Sequence, residues 1–554
     1  MRLNSFSNIL QTPLFSFVIA LICASSFTHA YENGCGTAKV IQNLINYQKN
    51  PYYASTLVNE DKCGIEKYYD TVYTIETPHF QVMYVLTGPH ATTKAFADTT
   101  AASMEKAWDF YINKQNMRKP KGPSKSHHFQ QDVKEGLYPV EIVDVDQIRD
   151  GQIFFGGSIA CGACFAVTVP MNNATSSQIF MDNDFYYGAS YNSQKETIIN
   201  DGDTCYYSKA NIPLYNNTYS FYYTDEWAKG LRLTSFHEFY HAVQLSYLNM
   251  YSNQTFWFEA SATGYEEVTN PDVDDYFRYM PSFFSKMGEP LSATFQNYGA
   301  STLFLYLYNK VSKSLDKSIW ENFAKNPSKD FEAQLEASLK ENKLDADSIF
   351  HDYSVHLSFS GQRSKSIPKK EWINEDQSNW TPAIFRNYDT IKPELESLAF
   401  EFYRNQQSNQ NSDLTNFIGK ASVITFYDGK ATIHKISSNK TLDSLSSTLS
   451  QSDSTLWIFS RFGKSESIPI TNNTAAPHAF PVPWREGSLC FAPLPRDKKF
   501  IEIRNRRGDL VSQEKYDGTS FCLQEDQVKS MMAPGIYRFR VGNKGKTTSF
   551  MVIY

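Results

Sequence analysis

A chain of 554 residues is too long for one ordinary domain and long enough to bury several cores. Its formal charge of −6 is mild for that size, and no basic face is concentrated enough to suggest nucleic acid as a partner. Aromatic residues reach 15% and charged residues 20%, a composition that excludes a disordered chain and leaves a folded globular protein of two or three domains.

Residues 1–30 read as a secretory signal peptide. Arg2 precedes an apolar run from Leu14 to Ala24, and Thr28-His29-Ala30 offers small residues for cleavage before Tyr31. That run is near half of the roughly 20 apolar residues a membrane-spanning helix requires, and no later segment is long and apolar enough to span a bilayer. A secreted, cell-surface or periplasmic location follows, and it implies an oxidising compartment in which cysteines pair. Proximity suggests Cys35 with Cys63, Cys490 with Cys522, and Cys205 with either Cys161 or Cys164.

Residues 31–75 form a leader or propeptide-like region with an apolar helix carrying Val40, Ile41, Leu44 and Ile45. The main domain is expected over 76–350. Alternating Phe80, Val82 and Tyr84 predict a strand, and Phe96, Met104, Ala107, Trp108 and Tyr111 are spaced for one face of a helix over 95–117. Residues 118–130, rich in Lys, Pro, Ser and His, predict a loop with His127 and His128 solvated. Strands follow at 140–145, 164–169 and 178–181. An edge strand of such a sheet along a cleft would let a peptide substrate add as a further strand. Asp144, Asp146, Asp150, Asp201 and Asp203 read as solvated turns rather than a calcium loop.

The most informative segment is Phe236-His237-Glu238-Phe239-Tyr240-His241, within an apolar-periodic helix over 227–248. Histidines four apart lie on one helical face, so both imidazoles can reach a single tetrahedral cation. Glu238 follows the first histidine and is placed beside the open metal position, where it can take a proton from water. A buried helix with these polar groups must satisfy them, and a metal does so. The third ligand is expected to be Glu259, separated from His241 by seventeen intervening residues and presented by a second helix returning antiparallel, with Glu266 as the fallback on the same face. Helical patterns continue to about 345. Tyr298, ahead of one of these helices, is a candidate to stabilise an oxyanion. Beyond 365 the composition turns to Ser, Asn, Gln and Thr with short alternating strands, predicting a β-sandwich-like domain over 365–480 and a small β-domain over 481–554.

On these residues the chain resembles the gluzincins, zinc metallopeptidases whose third ligand is a glutamate on a following helix, and most closely secreted bacterial metallopeptidases of the thermolysin-like and aminopeptidase-like clan. The matching segments are Thr77-Pro78-His79-Phe80-Gln81-Val82, Met104-Glu105-Lys106-Ala107-Trp108, Tyr138-Pro139-Val140-Glu141-Ile142, the histidine helix and Tyr298-Gly299-Ala300, covering about half the chain. The resemblance implies an α+β, two-lobed zincin domain with zinc held by His237, His241 and Glu259. Glu238 would be the general base, and the substrate a peptide or protein. The spacing to Glu259 is shorter than usual in the family. A metzincin would need a third histidine where Tyr247 stands. No Gly-Ala-Met-Glu-Asn segment occurs, which favours an endopeptidase over an aminopeptidase. The rival readings are a non-catalytic zinc-stabilised adhesion or binding protein, and a zinc hydrolase of a non-peptide amide or ester.

Overall fold

The computed structural model describes Thr37, Val40 and, with short breaks, residues 69–145, 164–208, 227–405, 417–463 and 478–553. It is of the α+β class and divides into two compact units between residues 464 and 465. The expected signal peptide, Cys35, Cys63, Cys161, Asp146, Asp150 and Asp201 lie outside the described residues.

The first unit opens with a sheet of β1 (Val72–Glu76), β2 (Phe80–Val85), β3 (Tyr138–Val143), β4 (Ala166–Met171) and β5 (Ser176–Asp182), in the order β1-β2-β3-β5-β4. The inner strands β2, β3 and β5 run parallel, while β1 and β4 pair antiparallel at the two edges. Phe80, Val82, Tyr84, Val140 and Ile142 face the helices, whereas Met83, Val85, Val143, Val167, Val169 and Phe180 form a second cluster with Val40. Burial of both faces explains why these strands read as nearly continuous apolar runs.

Helix α1 (Lys94–Trp108) begins at Thr93, whose hydroxyl accepts the Phe96 N–H at 3.1 Å. It continues in wider turns to Lys114. Two of the segments that carry the family resemblance meet here: His79 stacks on Trp108 at 4.2 Å between ring centroids and its Nδ1 lies 2.7 Å from Glu105. A hairpin of β6 (Lys195–Asn200) and β7 (Asp203–Ser208) precedes α2 (Trp227–Leu245) and α3 (Thr255–Thr269). The helical part continues with α4 (Met280–Ser285), α5 (Ser301–Tyr306), α6 (Leu315–Lys325), α7 (Phe331–Glu341) and α8 (Ala346–Leu357). Asp330 and Asp345 cap the last two by accepting the N–H groups of Ala333 and Ser348.

A second five-stranded sheet, in the order β11-β10-β12-β9-β8, is built from β8 (Arg386–Asn387), β9 (Ala399–Asn405), β10 (Lys420–Tyr427), β11 (Lys430–Ile436) and β12 (Ser454–Arg461). Its Phe400, Phe402, Ile424 and Ile458 join the same core as α1, α2 and α8, so α8 covers one face of this sheet.

The second unit holds a three-stranded sheet of β13 (His478–Phe480), β14 (Leu489–Ala492) and β17 (Phe521–Leu523). Beside it is a four-stranded sheet of β15 (Phe500–Asn505), β16 (Leu510–Lys515), β18 (Gly535–Val541) and β19 (Thr548–Val552). The two share a core of Trp484, Phe491, Ile501, Phe539 and Phe550. Cys490 and Cys522, neighbours across β14 and β17, form a disulfide as expected from their proximity, and Cys164 in the first unit is also disulfide-bonded. Among the described residues no helix is long and apolar enough to cross a membrane.

The loop before β3 departs from expectation. His128 is buried, not solvated, because Glu141 on β3 draws the loop inward: its carboxylate accepts the backbone N–H groups of His128 at 2.9 Å and Phe129 at 2.7 Å, and the Gln178 amide at 2.6 Å. Burial still pushes the Glu141 carboxyl above its ordinary value, against those donors.

Candidate metal centre

Helix α2 is apolar around most of its circumference, with Leu231, Leu233, Phe236, Phe239, Tyr240, Ala242 and Val243 all buried. His237, Glu238, His241 and Gln244 are buried with them, so each polar atom requires a partner. The partners on the outer side of the imidazoles are unambiguous. His237 Nδ1 meets the Glu266 carboxylate on α3, and His241 Nδ1 lies 2.6 Å from Gln244 Oε1. The amide of Gln244 is held in that orientation because its Nε2 donates to Phe258 O and Ser261 Oγ, both at 3.0 Å. Both Nδ1 atoms therefore face acceptors and carry the proton, which leaves the two Nε2 lone pairs turned inward.

Those inward atoms converge. The two Nε2 atoms lie 2.9 Å apart, and Glu259 Oε2 on α3 stands 3.3 Å from that of His237 and 3.6 Å from that of His241. Glu259 is fully buried, and neither of its oxygens has a hydrogen-bond partner. Burial alone would raise its carboxyl, but His241 and His237 hold it down at about 2, so it is ionised near neutrality. The two Nε2 atoms and the Glu259 carboxylate thus face one another around one point, an arrangement that a cation satisfies, whether protons on the imidazoles or a metal ion. Ligands about 2.1 Å from a tetrahedral ion stand about 3.4 Å apart; the two contacts of Glu259 bracket that value, and the 2.9 Å between the imidazole nitrogens is shorter. His237, Glu238 and His241 together form a group that could hold a metal ion, with a carboxylate oxygen of Glu238 within 4.8 Å of the imidazole nitrogens. One water can bridge such a gap. Glu266, the fallback ligand, is placed on the outer side of His237 instead, where burial pushes its carboxyl upward against the pull of the imidazole.

The remaining oxygens of Glu238 are asymmetric. Oε2 accepts the hydroxyls of Thr37 at 2.9 Å and Thr168, on β4, at 2.7 Å, whereas Oε1 has no partner. The cleft in front of it is lined by Phe165, His237, Glu238, Arg278, Tyr279 and Tyr298. Tyr298 is stacked on Tyr279 at 4.5 Å, and Arg278 pairs with Asp275 at 3.0 Å. The structure thus brings all five predicted residues, His237, Glu238, His241, Glu259 and Tyr298, to one region, with β4 as the adjoining sheet edge.

Sequence reasoning missed the groups that hold this region together. Tyr240, between the two histidines, points away from them and donates to Asp316 at the start of α6, while Trp257 on α3 donates to the other Asp316 oxygen at 3.0 Å. Asp316 therefore ties the histidine helix to the helix that carries Glu259. Burial raises its carboxyl to about 7 in spite of those donors. Helices α3 and α5 also approach closely: a Cβ on Gly264 would lie 2.1 Å from a ring carbon of Phe304, so only glycine fits. Gln244 had a local signal, since three residues beyond His241 is the same helical face. Thr37 and Asp316 had none. A second carboxylate group, Glu267, Asp274 and Asp376, lies within 4.8 Å of one another, and burial together with Asp376 pushes Glu267 up to about 8.

No protein-family model matches the chain, and no curated protein is significantly similar to it. Among solved structures it is similar to PorZ, described as an essential bacterial surface component of the type-IX secretion system of human oral-microbiomic Porphyromonas gingivalis. The identity is 19% over 18% of this chain and 14% of that chain, with a TM-score of 0.15. A likeness of that size carries no argument about fold or function.

Proposed function

We propose that the protein is a secreted zinc-dependent endopeptidase of the gluzincin type. The observation that carries this reading is the convergence of His237 Nε2, His241 Nε2 and the otherwise unpartnered Glu259 carboxylate, with Glu238 beside them. Two imidazoles and one carboxylate are the donor set of catalytic zinc sites that keep one position open. Bound there, zinc would supply a Lewis acid that acidifies water and polarises a carbonyl.

The protein's own groups then have distinct tasks. Glu238 takes the proton of the attacking water on its unpartnered Oε1 and returns it to the leaving amine. The hydroxyls on Oε2 keep that carboxylate from rotating away. Tyr298, in the same cleft, donates its phenol to the oxyanion of the tetrahedral intermediate. Edge strand β4, whose Thr168 N–H is taken by Thr37, offers its remaining free backbone groups to the peptide backbone, which makes recognition tolerant of sequence. Glu266 and Gln244 hold the imidazole tautomers that present Nε2 inward.

The test is incubation of the purified protein with a diverse peptide mixture, with and without a chelator, beside Glu238→Gln. Cleavage that the chelator abolishes, together with loss of turnover but retention of metal in the variant, is the expected result. Turnover by Glu238→Gln overturns the assignment of the base. Bound zinc with no cleavage of any peptide favours the adhesion reading, and activity confined to esters or non-peptide amides the third.

A further inference from the structure

We infer that Thr37 is a positioning residue for Glu238, and that it is retained in the working protein. The inference rests on the reading of Glu238 as the general base.

Thr37 is fully buried, 201 residues from Glu238 in sequence. Its hydroxyl has one proton to give. The Thr37 oxygen accepts the backbone N–H of Thr168 at 2.7 Å, and that N–H can only donate, so the Thr37 proton is directed to Glu238 Oε2 at 2.9 Å, an acceptor only. The result is a relay of fixed polarity from the β4 backbone through Thr37 to the carboxylate.

Thr168 cannot hold the carboxylate by itself. Its own single hydroxyl proton faces two acceptors on the same residue, the Glu238 carbonyl at 2.8 Å and Oε2 at 2.7 Å. Thr37 supplies a second donor to the same oxygen. Together they fix Oε2 and leave Oε1, the oxygen without a partner, to meet water.

Packing sets where Thr37 stands. Val40, three residues on and in the same helical turn, is buried in a cluster with Val167 and Val169, the two residues that flank Thr168 on β4. The strand that offers the N–H to Thr37 thus also anchors the turn that carries it. An occupant that merely blocked the cleft would engage the reactive oxygen of Glu238. Thr37 engages the other one.

The experiment compares Thr37→Val, which keeps the shape and removes the hydroxyl, with Thr37→Ser, which restores it, in the full chain. Thr37→Val is expected to lower kcat by about 10-fold or more, with KM changed less than about 2-fold, because a misaligned base loses part of its catalytic contribution while substrate contacts remain. Its zinc content should equal that of the parent, and Thr37→Ser should recover most of kcat. Amino-terminal sequencing of the active secreted protein should find Thr37 retained. An unchanged or raised kcat in Thr37→Val overturns the inference, as does a serine variant no better than valine, or an active form that begins beyond residue 37. Glu238→Gln in the same series separates the two claims, since turnover there refutes the general base whatever Thr37 does. If no peptide is cleaved, the visible spectrum of the cobalt-substituted protein replaces kcat as the readout. It must shift in Thr37→Val and not in Thr37→Ser, and identical spectra overturn the inference.

Discussion

Glu259 offers the sharpest test of the centre, because its two states should rank in opposite order with and without metal. The side chain is fully buried and neither oxygen is hydrogen-bonded, so in metal-free protein only the two imidazoles beside it offset the cost of burying the carboxylate. Leaving a buried charge without its partner costs about 3 kcal/mol or more. Glu259→Gln removes that charge at constant shape. In excess chelator the variant should therefore be the more stable protein. At about 2.1 cal/mol/K per residue, a unit spanning Met1–Lys464 shifts its midpoint by about 1 °C per kcal/mol, so a gain of about 3 °C is expected in thermal unfolding. Zinc should reverse the order. At 100 times its dissociation constant a ligand adds about 2.7 kcal/mol to the native state, and this gain belongs to the parent, since the variant lacks one of three ligands. Thermal unfolding of both proteins across a zinc titration measures this directly. If the parent remains the more stable protein in chelator, protein groups alone satisfy Glu259 and the argument for a cation fails. Equal zinc-dependent shifts in the two proteins would refute its role as a ligand.

Two further expectations concern residues one step removed from that centre and far from it. Gln244→Ala removes the acceptor that fixes the His241 tautomer and should weaken zinc binding by about 10-fold to 100-fold, measured by competition with a chromophoric chelator, while the fold persists by circular dichroism. An unchanged affinity would mean that the Gln244 contact does not set the imidazole. His351 sits between α8 and the second sheet, its ring nitrogens 2.7 Å from Ser460 Oγ and 2.8 Å from Ser422 Oγ, and burial lowers its pKa from the ordinary 6.5 to about 4. A histidine held neutral in the native state contributes stability that is complete above its unfolded value and is lost as pH falls through the folded one, so urea midpoints should decline between about pH 6.5 and 4. His351→Gln should flatten that decline, and a variant that follows the parent through this window would place the acid sensitivity elsewhere.

How much of this was legible beforehand depends on the range of each interaction. His237, Glu238 and His241 could be read because a four-residue spacing fixes a helical face, and Glu259 because a short connection returns the chain beside it. The strands from Phe80 to Met181 and from Ala421 to Phe459 were legible from apolar alternation. What covers them was not: α8 lies on the second sheet, and the turn with Val40 lies on the first, through contacts that no local period encodes. His128 illustrates the same limit, since a polar loop became buried only because Glu141, thirteen residues on, required donors.

The polar groups around the centre sort the same way. Gln244 lies one turn from His241 and belonged to a readable face, but its role depends on Phe258 O and Ser261 Oγ, supplied by α3. Asp316 and Thr37 act across 76 and 201 residues. A short motif therefore states which atoms are able to bind a cation, while distant residues decide whether those atoms are free to do so. Here Glu266 and Gln244 take the outer imidazole nitrogens, Asp316 takes Tyr240 and Trp257, and Thr37 with Thr168 takes one oxygen of Glu238. What converges between them is a set of two imidazole nitrogens and one carboxylate, with an oxygen of Glu238 beside them. That convergence, more than the spacing of the histidines, is the reason to propose a metal and a water at this place.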